Sequence, residues 1–191
     1  MLLTAGGRKV LEQMAGGDLS IDDIWDGQWV TVRVRRLSGG GVATTTRSRL
    51  LLETMGSLGN GLWIAPHSPR AAAAMGVLAA DPELDVVAGV MSIVHPDPAA
   101  LVEEAWDLES VRRVYAEFTD VVDGLHPGTD EDVLAAWITV RRQWTDVLRA
   151  DPELPSAALP ADWPGVVCRK RVSRLHDDWW PVAKKAFDRL M

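Results

Sequence analysis

The sequence is poor in cysteine and in long apolar runs. Its single cysteine, Cys168, excludes a disulfide within the chain, and nothing around it resembles a thiol-based active site. No apolar run reaches the roughly 18 residues that a membrane-spanning helix needs. Gly6-Gly7-Arg8-Lys9 closely follow Leu2 and Leu3, so the apolar core of a signal peptide is missing. We therefore expect a cytoplasmic protein that has no membrane partner.

Acidic residues are missing from one stretch of the chain. Residues 27–52 contain none, whereas residues 81–132 are acidic and have Arg112 and Arg113 as their only basic residues. The net charge of -7 argues against a protein that coats nucleic acid uniformly. The arginine-rich stretch is either a solvated face or a region that binds an anion, such as a phosphate-bearing ligand or the DNA backbone.

Aromatic residues other than tryptophan are scarce. The chain has nine tryptophans but only two phenylalanines and one tyrosine. Indole combines a large apolar body with one hydrogen-bond donor, which favours core positions and the seams between domains. We expect most of the tryptophans at such positions and one or two of them to be available for stacking on a ligand.

Composition and hydrophobic periodicity indicate a globular α+β chain. The 191 residues are 47% hydrophobic and 25% charged, which allows one medium domain or two small ones. Apolar residues predict strands over Gln28–Arg35, Leu62–Ala65 and Asp85–Val94, with helices over 44–55 and 68–80 between them. This order indicates a ferredoxin-like unit, although its four-stranded form needs one strand more than the pattern places.

Helical periodicity follows the boundary Pro96-Asp97-Pro98. A proline-rich passage, 152–164, separates the last helix from the others. Pro181 marks a candidate kink in that last helix. The predicted helices are Ala99–Trp106, Leu108–Leu125, Thr129 to about Arg149, and about Val166 to Leu190.

Four groups of short motifs occur in a fixed order and together cover nearly the whole chain. They are W-D-G-Q-W at 25–29, R-S-R-L at 47–50 with G-L-W-I-A-P at 61–66, A-W-D-L at 105–108 followed by Tyr115 and Phe118, and D-P-E-L-P through L-P-A-D-W-P-G at 151–165. In this order they resemble the PaaX family of transcriptional regulators, named for the repressor of phenylacetate catabolism. The last group is the most specific.

The resemblance implies a three-part organisation. Residues 1–24 correspond to a short remnant of a winged-helix domain and a linker, 25–97 to a ferredoxin-like dimerisation domain, and 98–191 to an all-helical C-terminal domain. The chain has no recognition helix, so the resemblance implies DNA binding only if the missing winged helix is supplied. Homodimerisation is a further implication.

The effector of this family is typically an aryl- or acyl-coenzyme A thioester. Its negative charges require clustered arginine or lysine, and its acyl part requires an apolar slot. The resemblance implies an effector site that contains Arg47, Arg49, Trp137, Arg141, Arg142 and Trp163. Alternatively, Arg141 and Arg142 lie on a solvated helix face, and Trp163 fills space between Pro164 and the helical core.

The residues give little support to an enzyme. The four histidines are far apart in sequence, and His95 with Asp97 lacks a third metal ligand at a recognised spacing. The family's middle domain is similar to CRISPR-associated ferredoxin-like proteins, some of which are nucleases that hold a metal through an aspartate at the end of the first strand. Arg33–Arg36 occupy that position here, which argues against a nuclease.

Two hypotheses remain after the enzyme is set aside. We expect a ligand-responsive repressor that has no catalytic residues, metal or cofactor. The alternative is a stand-alone interaction protein that senses a ligand or forms mixed dimers with a full-length relative.

Overall fold

The computed structural model describes residues 25–36, 46, 50, 54–68, 71, 78 and 81–190. The predicted remnant at 1–24 and most of the two helices predicted between the strands lie outside these residues. Within the described ranges, no helix combines the length and the apolarity that crossing a bilayer requires.

The described elements are four strands followed by four helices. Their bounds agree with the sequence prediction to within three residues at each end where an element was predicted. The elements are β1 (Trp29–Arg36), β2 (Gly56–Gly59), β3 (Leu62–Pro66), β4 (Leu84–Met91), α1 (Pro98–Ala105), α2 (Leu108–Asp123), α3 (Asp130–Ala150), a 3-10 turn (Ser156–Ala158) and α4 (Gly165–Leu190).

The four strands form one antiparallel sheet in the order β2-β3-β1-β4. Between β1 and β2 the described residues Thr46 and Leu50 are helical, and between β3 and β4 so are Ala71 and Leu78. The Ser68 hydroxyl accepts a hydrogen bond from the Ala71 amide at 3.2 Å, which is the contact of a helix N-cap. The α+β class is therefore confirmed.

The sheet is covered on both faces at the start of β1. Val30, Val32 and Val34 alternate onto one face, in a cluster with Leu50 and Met55. The opposite face is also closed there, by a second cluster: Trp29 and Ile64 with Leu101, Val102, Ala105, Leu154 and Ala158. Trp29 is 1% exposed. Its face is buried because α1 and the 3-10 turn dock on it.

Three tryptophans form the seam between the sheet and the helices. Trp25 packs edge-on against Trp29 with ring centroids 5.6 Å apart, and Trp29 lies 6.3 Å from Trp106. The Trp106 indole donates a hydrogen bond to the Thr54 carbonyl at 3.1 Å, just before β2. These contacts place tryptophan at a seam, as the composition predicted.

Helices α2, α3 and α4 share one apolar core. Tyr115, Phe118, Val140 and Trp144 are among its buried members. Helices α3 and α4 run antiparallel: Arg189, near the end of α4, pairs with Asp130 at the start of α3. Pro181 lies inside α4, which continues to Leu190.

Candidate effector-binding site

A buried carboxylate fastens the D-P-E-L-P motif to α2. Asp151 ends α3 and is 2% exposed. The Tyr115 hydroxyl donates to its Oδ2, and the Glu153 amide donates to its Oδ1 at 2.8 Å. The Arg169 guanidinium lies 3.5 Å from Oδ2 and supplies the opposite charge. The motif therefore joins the loop after α3 to both α2 and α4.

Two titratable groups of this region are held in their neutral forms. Burial, followed by the charge of Asp151, raises the pKa of the Tyr115 hydroxyl above its usual range, so the hydroxyl remains a donor. Burial also raises the pKa of the Cys168 thiol, whose sulfur lies 3.8 Å from the Thr119 hydroxyl. Both side chains belong to the core of the helical region.

Trp163 lies between α2 and the start of α4. Its ring packs edge-on against Tyr115 at 6.0 Å, and the Arg112 guanidinium lies 5.2 Å from its centroid. Arg112 donates to both carboxylate oxygens of Asp162, at 2.8 and 3.3 Å, and this hydrogen bonding lowers the pKa of Asp162. A Cβ at Gly165 would lie 3.1 Å from both Trp163 Nε1 and the Tyr115 hydroxyl oxygen, so these side chains would have to shift by a few tenths of an ångström. Trp163 thus packs on the core, as in the alternative interpretation of its role.

A second group of side chains lies between α3 and α4, and we call it the ring cluster: Trp137, Arg141, His176 and Trp180. The Arg141 guanidinium lies 5.5 Å from the Trp137 centroid. The rings of His176 and Trp180 lie 5.6 and 6.4 Å from Trp137 and are within 16° of parallel to each other. The cluster arises because each helix supplies an i, i+4 pair, and such a pair shares one face.

Arg141 is the charged member of the ring cluster. Its side chain is half-buried, and burial lowers its pKa. In the described part of the chain, no carboxylate oxygen lies within 4.0 Å of its guanidinium. The next residue, Arg142, is exposed.

The structure brings only some of the predicted effector residues together. Trp137 and Arg141 are in contact, whereas Trp163 precedes α4. His176 comes eleven positions after Gly165, which corresponds to about 16 Å along that helix and separates Trp163 from the ring cluster. Arg47 and Arg49 lie outside the described residues. His176 and Trp180 were not predicted, and their i, i+4 spacing is the signal that could have identified them.

The outer edge of β4 is a second exposed feature. β4 is the last strand of the sheet, and Val87, Val90 and Met91 are 54%, 41% and 48% exposed. Its only charged residue, Asp85, pairs with Arg35 of β1. The other edge strand, β2, contacts α1. An apolar edge strand of this kind offers unpaired backbone groups to another strand.

The fold and these contacts define an α+β protein whose helical region is organised around a buried tyrosine–aspartate pair. Residues 106–189 match the family model described as the PaaX-like protein C-terminal domain. The match confirms, for this region of the chain, the resemblance found in the motifs.

An uncharacterized protein from Mycobacterium tuberculosis is similar in fold, with a TM-score of 0.59 and 20% sequence identity over 95% of this chain and 70% of that one. At this identity the likeness concerns the fold alone. No curated protein matches the chain.

Proposed function

We propose that this chain is the body of a PaaX-type transcriptional regulator, a repressor that dimerises and senses an acyl-coenzyme A thioester. The observation that carries the proposal is the match of residues 106–189 to the PaaX-like C-terminal domain. The proposed role involves no catalysis.

The proposed domain organisation keeps 1–24 as a winged-helix remnant and linker, 25–97 as a ferredoxin-like dimerisation domain and 98–191 as the helical domain. Support for the middle assignment comes from the antiparallel order β2-β3-β1-β4. Helical residues between β1 and β2 and between β3 and β4 fit the β-α-β-β-α-β succession of a ferredoxin-like fold.

Dimerisation is proposed to use the outer edge of β4. Its eight residues contain no proline or lysine and only one charge, so the usual protections of an edge strand are missing. Pairing of this edge with the same edge of a second copy would satisfy the free backbone groups of both strands. It would produce the self-complementary interface of a two-fold dimer.

Effector sensing is proposed for the helical domain, with Arg47 and Arg49 contributing from the middle domain. The described residues that support it are Trp137 and Arg141, because the buried Trp137 ring supports a guanidinium that has no carboxylate partner within the described residues. Arg142 and Trp163 remain members of the proposed set. They would contact a different part of an extended ligand than Arg141 does.

Tryptophan fluorescence tests this function. We would titrate the chain with phenylacetyl-coenzyme A, and with free coenzyme A and phenylacetate as controls. We expect saturable quenching by the thioester at a lower concentration than by either half, because only the thioester engages both the charged and the apolar contacts. No response to the thioester would contradict the sensing role.

A further inference from the structure

The half-buried arginines of residues 98–190 differ in whether a carboxylate accompanies them. Three have one: Arg112 pairs with Asp162, Arg169 with Asp151 and Arg171 with Asp123. Arg141 is the exception within the described residues.

An unpaired guanidinium in a half-buried position is costly to desolvate. Contact with the Trp137 ring offsets part of this cost through a cation–π interaction. An anion at Arg141 would supply the charge-assisted hydrogen bonds that Asp162, Asp151 and Asp123 supply to the other three arginines. Arg141 can therefore take an anionic ligand as its hydrogen-bond partner.

The surroundings of Arg141 also fit a planar group. His176 and Trp180 present nearly parallel rings beside Trp137, and 34% of the His176 side chain is exposed. Trp137 is 5% exposed, so its ring supports the guanidinium from the side of the helical core. Aromatic rings stack on such a surface with a useful gain beyond area burial.

We propose that the ring cluster binds a planar aromatic ring that carries an anionic group, a carboxylate or a phosphate. Arg141 donates to the anion, and the exposed side of His176 and Trp180 stacks on the ring. This chemistry is shared by an aryl carboxylate and by the adenine nucleotide end of a coenzyme A thioester. The inference rests on the proposed sensing role and assigns part of the ligand to one place.

Calorimetric titration of the full chain tests the proposal with four probes: phenylacetate, adenosine 3′,5′-bisphosphate, phenylacetyl-coenzyme A and inorganic phosphate. The variants are R141Q, which removes the charge, and W180L, which removes a ring. R149Q is the matched control, because it removes the same charge about two turns further along the same helix, on an exposed position. Circular dichroism and thermal unfolding verify that each variant folds, and R141K provides a milder change if R141Q does not.

We expect at least one of the two ring-bearing fragments to bind the unmodified chain, and the one that binds identifies the source. Its affinity should fall roughly tenfold or more in R141Q, as loss of a charge-assisted contact predicts, and should stay within about twofold in R149Q. W180L should weaken it too, and R141K should retain part of it.

The proposal is overturned if neither fragment binds, if R141Q binds as tightly as the unmodified chain, or if inorganic phosphate binds as well as the ring-bearing probes. The proposed function is judged separately. Thioester binding that does not depend on Arg141 removes the ring cluster as a site and leaves sensing intact. Arg141-dependent binding of a fragment without thioester binding removes thioester sensing and leaves the ring cluster as a site.

Discussion

Asp151 and Tyr115 lie 36 positions apart in the chain and meet inside the helical region. Each belongs to a motif that carried the family resemblance, Tyr115 following A-W-D-L and Asp151 opening D-P-E-L-P. A buried carboxylate requires hydrogen bonds and an opposite charge, and Tyr115, the Glu153 amide and Arg169 provide them. The motif residues are thus explained by the packing of the helical domain.

Replacing Tyr115 by phenylalanine tests this pairing. Y115F keeps the ring but removes the donor to buried Asp151, so we expect the free energy of unfolding to fall by about 1–3 kcal/mol. Urea denaturation measures it. D120N is the control, because Asp120 is exposed on the same helix and its substitution should change stability by less than about 0.5 kcal/mol. Equal effects of the two substitutions would contradict a special role for the Tyr115–Asp151 bond.

Gly56 is a second residue on which the fold depends. A Cβ there would lie 2.6 Å from the Trp106 ring and 2.8 Å from the Ala105 Cβ. We expect G56A to lower the free energy of unfolding by about 1–3 kcal/mol, because the seam between sheet and helices has no room to relax. G89A in β4 is the control, since a Cβ there has no atom within 4 Å. The midpoint of thermal unfolding is measured for both variants. An unaltered midpoint for G56A would contradict close packing at the seam.

At the scale of the elements, helix α3 begins with a capping box formed by Thr129 and Asp132. The Thr129 hydroxyl accepts from the Asp132 amide at 3.1 Å, and the Asp132 carboxylate accepts from the Thr129 amide at 3.0 Å. The sequence predicts a helix from Thr129, although glutamate or glutamine is the usual residue at the third position of a capping box. The structure shows that aspartate also reaches the amide.

The capping box has a testable pH dependence. Hydrogen bonds from the Thr129 side chain and backbone hold the pKa of Asp132 below its ordinary value of 3.8. Because the pKa is lower in the folded chain, the stabilisation is complete above that value and is lost as the pH falls through the folded pKa. An NMR titration should show Asp132 and the Thr129 amide shifting together below pH 3.8, and T129A should move the Asp132 pKa back up. Independent titration of the two signals would contradict the capping box.

Some elements were predictable because their signals are local. The alternation of Val30, Val32 and Val34 gave β1, and prolines and caps gave the starts of α1 and α3. Strand β2 was missed, because Gly56–Gly59 has no alternating pattern and pairs with β3 through an irregular register. The contact of Trp29 with α1 was not predicted either, because α1 lies about 70 residues further along the chain and no local pattern joins the two.

The candidate site shows the same limit. Arg141 and Trp137 were named through the family resemblance, and no pattern in the sequence joined them to His176 and Trp180. The four side chains meet because α3 and α4 run antiparallel and the two i, i+4 pairs lie opposite each other along the packed helices. This alignment depends on tertiary packing and not on any local sequence pattern. Trp163 was placed in the same set, but the structure puts it against Tyr115 and Arg112.

In the whole molecule, the proposed regulator dimerises through its sheet and senses the thioester through its helices. The outer edge of β4 offers a test with matched variants. V87K places a charge beside that edge, whereas V167K places the same charge on α4, where Val167 is 69% exposed. We expect V87K to weaken self-association by roughly tenfold or more in analytical ultracentrifugation, and V167K to leave it unchanged. A monomeric unmodified chain, or equal effects of the two variants, would contradict dimerisation through β4.

Hydrogen–deuterium exchange with and without phenylacetyl-coenzyme A tests whether the helical region binds the thioester, because it locates the ligand along the chain. We predict slower exchange in peptides of α3 and α4 around Arg141 and His176, since a ligand held there suppresses local opening. Free coenzyme A and phenylacetate should give weaker protection of the same peptides. Identical exchange with and without the thioester would contradict the account of this chain as the sensing body of a regulator.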